Sequence, residues 1–468
     1  MARRNAPTQI GEIVVRGGTL VDETGERRGD VLVRDGRIVA VEDAIDAPKG
    51  ATVLDAGGCV VAPGLVDLHA HLREPGGEIA ETVESGSRAA ALGGYTAVVA
   101  MPNTEPAIDS AAVARDVLAL GETALTEIAV AGAITVGRRG ERLVPMAELA
   151  ALGVRLFTDD GRGVQHAGLM RRALEYASGL GVVLAQHCED EQLAAGGHMN
   201  EGAWSSRLGI AGMPALAEEA MLARDLALVR LTGAPMHFLH LSTAGAIEMI
   251  RSAKADGLDV TAEVTPHHLA LCDAAVASFD PVYKVKPPLR TARDVAAVRE
   301  GVVEGVVDAI ATDHAPHAPE RKDDPFDEAP AGMLGLETAL SVAYDALRAG
   351  LAELAVGDDH GWVPRGGGAP LSMRDLFALF SWRPARIAGL DRDGRGPRGS
   401  LSGQGGPIRP GAGGNLAVFD PSLPWVVDPS RQASRSRNTP YGGLRLTGKI
   451  RHTVFAGEVV VQDGTAQR

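Results

Sequence analysis

The chain has 468 residues, and 46 Lys and Arg against 60 Asp and Glu give a formal charge of -14. A prior of about one domain per 150 residues suggests three domains, but one α/β barrel takes about 250, so a large domain with a smaller one suffices. The acidic balance without clustered Lys or Arg excludes general nucleic-acid binding, and a 45% share of hydrophobic residues excludes disorder. Aromatic residues make up only 4%, so the core must be built mainly from Ala, Val, Leu and Ile. Cys59, Cys188 and Cys272 are too few and scattered for a disulfide framework or a thiolate zinc site. Met1 to Asn5 is basic but leads into polar residues and Pro7, unlike a secretion signal. Apolar runs such as Tyr95 to Met101 fall far short of the roughly 20 residues that cross a bilayer. The expectation is a cytoplasmic protein without a membrane or nucleic-acid partner.

From Gly11 to Val61, runs rich in Val and Ile (Glu12 to Val15, Asp30 to Val33, Ile38 to Val41, Val53 to Leu54) alternate with Gly-Gly, Asp-Gly and Gly-Asp turns. That texture predicts an antiparallel meander. Between about Pro63 and Arg398, short apolar strands precede Ala- and Leu-rich helical stretches. The strands fall at 97–100, 128–131, 154–157, 182–186, 237–241, 260–264 and 309–312. Repeated strand and helix units predict a parallel sheet, and their number favours a barrel, although an open doubly wound sheet has the same periodicity. Asp391 to Gly414, loaded with Gly, Arg and Pro, predicts a linker. Strands then return at Asn415 to Phe419, Thr453 to Phe455 and Glu458 to Gln462, so both termini build one small sheet domain.

The strongest local signal is Asp67-Leu68-His69-Ala70-His71-Leu72-Arg73-Glu74-Pro75-Gly76, at the end of the apolar run Cys59 to Val66. Residues two apart on a strand share a face, so His69 and His71 can offer imidazoles to one ion. Alone, a His-x-His pair is weak evidence. Here further candidates also close apolar strands: Asp160 after 154–157, His187 after 182–186, His240 within 237–241, and Asp313 after 309–312. Strand ends meet on one face of a barrel. Four imidazoles and two carboxylates there suit one or two Zn²⁺ ions, with a binuclear site preferred.

These motifs resemble the amidohydrolase superfamily and, within it, the class I dihydroorotases. The resemblance rests on His69 to Gly76, Met101-Pro102-Asn103-Thr104, Phe157-Thr158-Asp159-Asp160-Gly161, His187-Cys188-Glu189-Asp190, His240-Leu241-Ser242-Thr243, Pro287-Pro288-Leu289-Arg290 and Asp313-His314-Ala315-Pro316-His317. It implies a metal-dependent α/β fold, a (β/α)8 TIM-like barrel over residues 63–404, with a small β-sandwich domain from residues 1–62 and 405–468. By motif, His69, His71 and Asp313 match the ligands of one zinc, His187 and His240 those of a second, and Asp160 the bridging carboxylate. Many relatives, hydantoinases included, bridge through a carboxylated lysine. Asp159 competes with Asp160, and the spacing to His187 in the family register favours Asp160.

The implied reaction is the reversible cyclisation of N-carbamoyl-L-aspartate to L-dihydroorotate in pyrimidine synthesis, with Asp313 both ligand and proton acceptor. Arg73 can clamp a carboxylate bidentately, and Asn103 can donate an amide N–H beside it. In the family, the positions of Arg73, Asn103 and His317 hold the carboxylate, and backbone groups near Ala331 and Gly332 contact the ring; His71 joins the substrate-binding set. Lys286 departs from the pattern, standing where these enzymes usually carry Asn and replacing a two-way amide with a point charge. The polar segment Ala318 to Pro330 predicts a mobile loop over the site. Rival readings are another cyclic-amide hydrolase, of hydantoinase or allantoinase type, and a catalytically silent subunit scaffolding aspartate transcarbamoylase. The family further implies a homodimer and, for some members, a complex with aspartate transcarbamoylase.

Overall fold

The structure is a computed structural model that describes residues 11–349, 361–363, 370–392 and 403–468. Residues 393–402 of the predicted linker lie outside the described residues. Strands Ile13–Asp22, Gly25–Arg34, Arg37–Glu42, Thr52–Asp55 and Val60–Pro63 join Leu416–Val426, Arg445–Phe455, Glu458–Gln462 and Thr465–Ala466 in one nine-stranded sheet. The two chain ends meet where Val60–Pro63 pairs antiparallel with Leu416–Phe419. The strands of both chain ends are thus hydrogen-bonded into one continuous sheet. The strand Ile13–Asp22 carries a bulge between Val15 and Gly18; before it the strand pairs with Thr52–Asp55, after it with Val60 and Val61. A bulge re-aims a strand, so a single strand serves two neighbours without starting a new sheet. Ile13, Val15, Leu20, Val31, Val33, Leu54, Val61, Val418 and Val454 bury together as its core.

The apolar run Cys59 to Val66 spans two strands, Val60–Pro63 and the start of Leu65–Ala70. The chain leaves the small sheet at Gly64, whose N–H donates to Asn415 O at 3.0 Å. A Cβ here would stand 2.0 Å from Thr96 Oγ1, so only glycine lets the backbone pass.

Among the described residues eight strands then line up in parallel in chain order, apart from the separate short pair Met199–Asn200 and Gly212–Met213. Leu65–Ala70, Tyr95–Ala100 and Glu127–Val130 pair successively, as do Leu156–Phe157, Val183–Gln186, Met236–Phe238, Val260–Val264 and Ala309–Ile310. Parallel bridges connect the two groups at both ends, Gly132 with Phe157 and Ala70 with His314. The last is secured by His71 N–H donating to His314 O at 2.8 Å. Every strand therefore has a neighbour on each side, and the first lies beside the last. Alternation divides their side chains: Ala97, Val99, Leu156, Ala185, Leu239, Ala309 and Ala311 share one cluster, while Val98, Ala100, Phe157, Leu184, Phe238 and Ile310 pack in a second with the helices. Small Ala residues predominate in the first cluster, leaving room at the strand ends for larger polar groups.

The segment Ala318 to Pro330 is more anchored than its charge suggests. It holds a short helix, Pro319–Lys322, and buries Phe326 against Met199 and Val276. Lys322 Nζ donates to Pro281 O and Pro330 O, each at 2.8 Å, and Lys284 Nζ donates to Asp327 O at 2.9 Å. Where the charge predicts a mobile loop, one buried aromatic and two lysines anchor the segment, Lys322 to Pro281 O and Lys284 to Asp327 O. Among the described residues no helix is long and apolar enough to cross a membrane.

Candidate metal centre

Six ionisable side chains meet beyond the carboxyl ends of the parallel strands. His69 lies on Leu65–Ala70 and His71 one residue past it; Asp160, His187, His240 and Asp313 follow Phe157, Gln186, Phe238 and Ile310 within three residues. All six are buried. Asp160 is the hub: its Oδ1 stands 3.4 Å from His69 Nε2, 3.5 Å from His187 Nδ1 and 3.5 Å from His240 Nε2, and its Oδ2 3.6 Å from His71 Nε2. Two ligand-competent triads share it, one with His69 and His71, the other with His187 and His240. Asp313 Oδ1 adds contacts of 3.0 Å to His71 Nε2 and 3.5 Å to His69 Nε2. Asp313 (φ 45°) and His240 (φ 30°) adopt positive φ, a strained conformation held where side chains must be aimed.

Hydrogen bonds on the far side of each ring assign its tautomer. His69 Nδ1 donates to Glu263 Oε1 at 2.9 Å, and His71 Nδ1 donates to Asn103 Oδ1 at 2.8 Å. Each then turns a bare Nε2 toward carboxylate oxygens, acceptor against acceptor, an arrangement that needs a cation between them. His69 Nε2 is buried without a hydrogen-bond partner, and His187 Nδ1 faces His240 Nε2 at 2.9 Å. Converging nitrogens and shared carboxylates of this kind fit a divalent metal, with Glu263 and Asn103 orienting the ligands.

Asp159 lies apart from this cluster. It accepts from Ile134 N–H at 2.8 Å, from Thr135 N–H at 3.0 Å and from the Thr135 hydroxyl, so it braces a loop while its neighbour Asp160 faces the histidines. Electrostatics follow the geometry. Burial works against the charge on Asp160, yet His69 and the hydrogen bonds of His187 and His240 outweigh it and hold the carboxyl well below its ordinary range. Burial likewise opposes protonation of His69, but Asp160 and Asp313 reverse the balance and raise its pKa well above the usual value.

A cavity of about 170 Å³ opens over the cluster, lined by Arg73, Asn103, Lys286, His317, Ala331 and Gly332 together with His71, Asp160, His187 and Asp313. All of the substrate residues expected from sequence therefore share one cavity. Arg73 donates only through Nε, to Pro316 O at 3.1 Å, leaving the paired Nη groups open to a planar anion. Glu74 accepts from Val83 N–H at 2.8 Å and does not pair with Arg73. Burial, with Arg138 adding to it and Asp313 and Asp160 opposing it, carries the Arg73 pKa down to about 10, still fully charged at neutral pH. His317 is neutral, its pKa lowered to about 3 by burial and by Arg73, and its Nε2 donates to Ala331 O at 2.8 Å. Gly332 N–H is taken by Lys284 O at 2.8 Å.

Four supporting residues, Glu263, His237, Thr261 and Arg138, escaped the sequence reading. Glu263 also accepts from His237 Nε2 at 3.1 Å, and His237 Nδ1 meets Thr261 Oγ1 at 2.8 Å, a buried relay behind His69. Their signal was alternation: Val260, Ala262 and Val264 pack in the helix-side cluster, so a carboxylate at 263 must face inward. Arg138 Nη1 donates to Asp160 O at 2.6 Å and fixes the hub from its backbone; nothing in the local sequence marks it.

Comparison with known proteins gives first the fold and then the family. The fold is shared with the L-hydantoinase (dihydropyrimidinase) of Arthrobacter aurescens, at TM-score 0.81 and 24% identity over 97% of both chains. It is shared also with the D-hydantoinase (dihydropyrimidinase) of Thermus sp., at TM-score 0.75 and 22% identity over 97% of this chain and 96% of that one. Residues 58–246 match the family described as Dihydro-orotase-like. The chain is 46% identical to the dihydroorotase of Pelotomaculum thermopropionicum over 97% of its length and 99% of that protein. It is 45% identical to that of Mycobacterium tuberculosis at the same coverage. The chain belongs to the dihydroorotase family.

Proposed function

We propose that the protein is a class I dihydroorotase that interconverts N-carbamoyl-L-aspartate and L-dihydroorotate at a binuclear zinc site. The observation that carries this reading is Asp160 at the meeting point of four imidazoles, beside a cavity whose Arg73 fork is free. In this reading the eight parallel strands close as a (β/α)8 barrel over residues 63–404, and residues 1–62 with 405–468 form the small domain. His69, His71 and Asp313 would hold one zinc, His187 and His240 would hold the other, and Asp160 stands within reach of both groups. When bound, the metals supply Lewis acidity toward a carbonyl oxygen and toward water.

The remaining work falls to side chains. Arg73 pairs with the carboxylate common to both compounds, and Asn103 Nδ2, left free by its bond through Oδ1 to His71, donates beside it. The Ala331 backbone reads the ring. Asp313 presents Oδ1 to His71 and His69, so its Oδ2 moves the proton. In hydrolysis Oδ2 takes a proton from the attacking water and delivers it to the leaving ring nitrogen; in cyclisation it takes one from the ureido nitrogen as the C–N bond forms. It then delivers that proton to the carboxylate oxygen whose C–O bond breaks, which departs as water with a second proton from solvent. The product is destined for pyrimidine synthesis in the cytoplasm.

The test is an assay of the purified, zinc-replete protein on dihydroorotate and carbamoyl aspartate, with hydantoin and allantoin in parallel. Turnover confined to the first pair is expected. Turnover of hydantoin or allantoin instead assigns another cyclic-amide hydrolase, and no turnover with zinc bound leaves a scaffolding subunit or one that requires a partner such as aspartate transcarbamoylase.

A further inference from the structure

The cavity holds two cations in unlike circumstances. Arg73 has no anionic hydrogen-bond partner, whereas Lys286 Nζ sits 2.8 Å from Glu189 Oε1. Glu189 has a side chain only 9% exposed, against 37% for Lys286, and its Oε2 stands 3.7 Å from His187 Nε2. An almost buried carboxylate thus reaches from the candidate metal ligand to the lysine at the cavity wall. Two free cations in one small cavity would favour whichever reaction partner carries more negative charge. Here one of them is compensated.

We propose that Glu189 is a specificity-determining residue that occupies Lys286 and so leaves Arg73, among the described residues, as the one uncompensated Lys or Arg side chain lining the cavity. This inference rests on the dihydroorotase reading, in which the ring form is a monoanion and the open form a dianion. With the pair intact, the second carboxylate of carbamoyl aspartate gains nothing from Lys286, and the site does not over-bind the open form. Breaking the pair from either side shifts this balance in opposite directions. Glu189→Gln frees the ammonium and tightens the dianion more than the monoanion. Lys286→Gln leaves Glu189 uncompensated and weakens the dianion more.

The experiment measures KM and kcat in both directions for the wild type, Glu189→Gln, Lys286→Gln and the double variant, with melting temperature as a control for folding. Glu189→Gln is expected to lower the KM for carbamoyl aspartate about tenfold relative to that for dihydroorotate, and Lys286→Gln to raise it by a similar factor. The double variant returns the ratio toward the wild-type value. If Glu189→Gln does not fold, Lys286→Gln alone still decides through the sign of its shift. Ratios that stay fixed, or that move in the same direction in both single variants, overturn the proposal. A wild type that turns over neither compound overturns the dihydroorotase reading instead, so the two failures are distinguishable.

Discussion

The small sheet and the parallel-strand region use the same building blocks to opposite ends. In the small sheet an apolar core runs from Ile13 and Leu20 to Val418 and Val454, and buried ionisable groups there are bonded separately, Asp22 to Arg27 and the Ile408 N–H and His452 to Asp55 O. In the parallel region the apolar layers stop short of the strand ends, where His69, His71, Asp160, His187, His240 and Asp313 are all buried together. Buried ionisable groups are costly unless they compensate one another or a metal. One region therefore spends its burial on stability, while the other keeps a charge cluster in place for chemistry.

The sharpest way to break that contrast is to damage each region separately. Asp313→Ala should lower dihydroorotate turnover by about three orders of magnitude or more, because both a ligand and the proton carrier are lost, while circular dichroism shows an intact fold. Near-normal turnover would remove its assigned role. A smaller effect follows behind the ligands: Glu263→Gln takes the anionic partner from His69 Nδ1 and should weaken zinc affinity about tenfold or more in a competitive chelator titration. In the small sheet, Leu20→Ala should cost about 2–5 kcal/mol in denaturant unfolding with kcat and KM unchanged well below the melting point. A change in KM there would show that the two regions are not separable.

The smallest effect is a pH dependence away from the site. Burial raises the Glu337 carboxyl to about 7, with Glu81 adding to the rise and the Ala433 N–H opposing it. The unfolded chain ionises Glu337 near pH 4, before the folded chain does, so the fold loses stability as pH rises between about 4 and 7. Glu337→Gln removes that loss. Its melting temperature should exceed the wild type at pH 8 and match it near pH 4.

Much of this was legible in the sequence because the site residues sit at the punctuation of apolar strands. His187 after 183–186 and Asp313 after 309–310 needed only strand assignment, and family motifs supplied the rest. What escaped was set by register and tertiary contact. Gly64 reads as a break only once Thr96 is packed against it. Glu263 required knowing which strand face is inward, and Arg138 acts through a backbone contact that carries no local pattern. Phe326 shows the opposite error, one apolar anchor outweighed by surrounding charge in the reading of residues 318–330.

The central claim is that six strand-end groups form one binuclear site bridged by Asp160. Metal analysis of the purified zinc-replete protein beside Asp160→Ala tests it most directly. Two zinc ions per chain in the wild type and fewer than one in the variant are the predicted result; two zinc ions retained by Asp160→Ala, or none bound by the wild type, would contradict it.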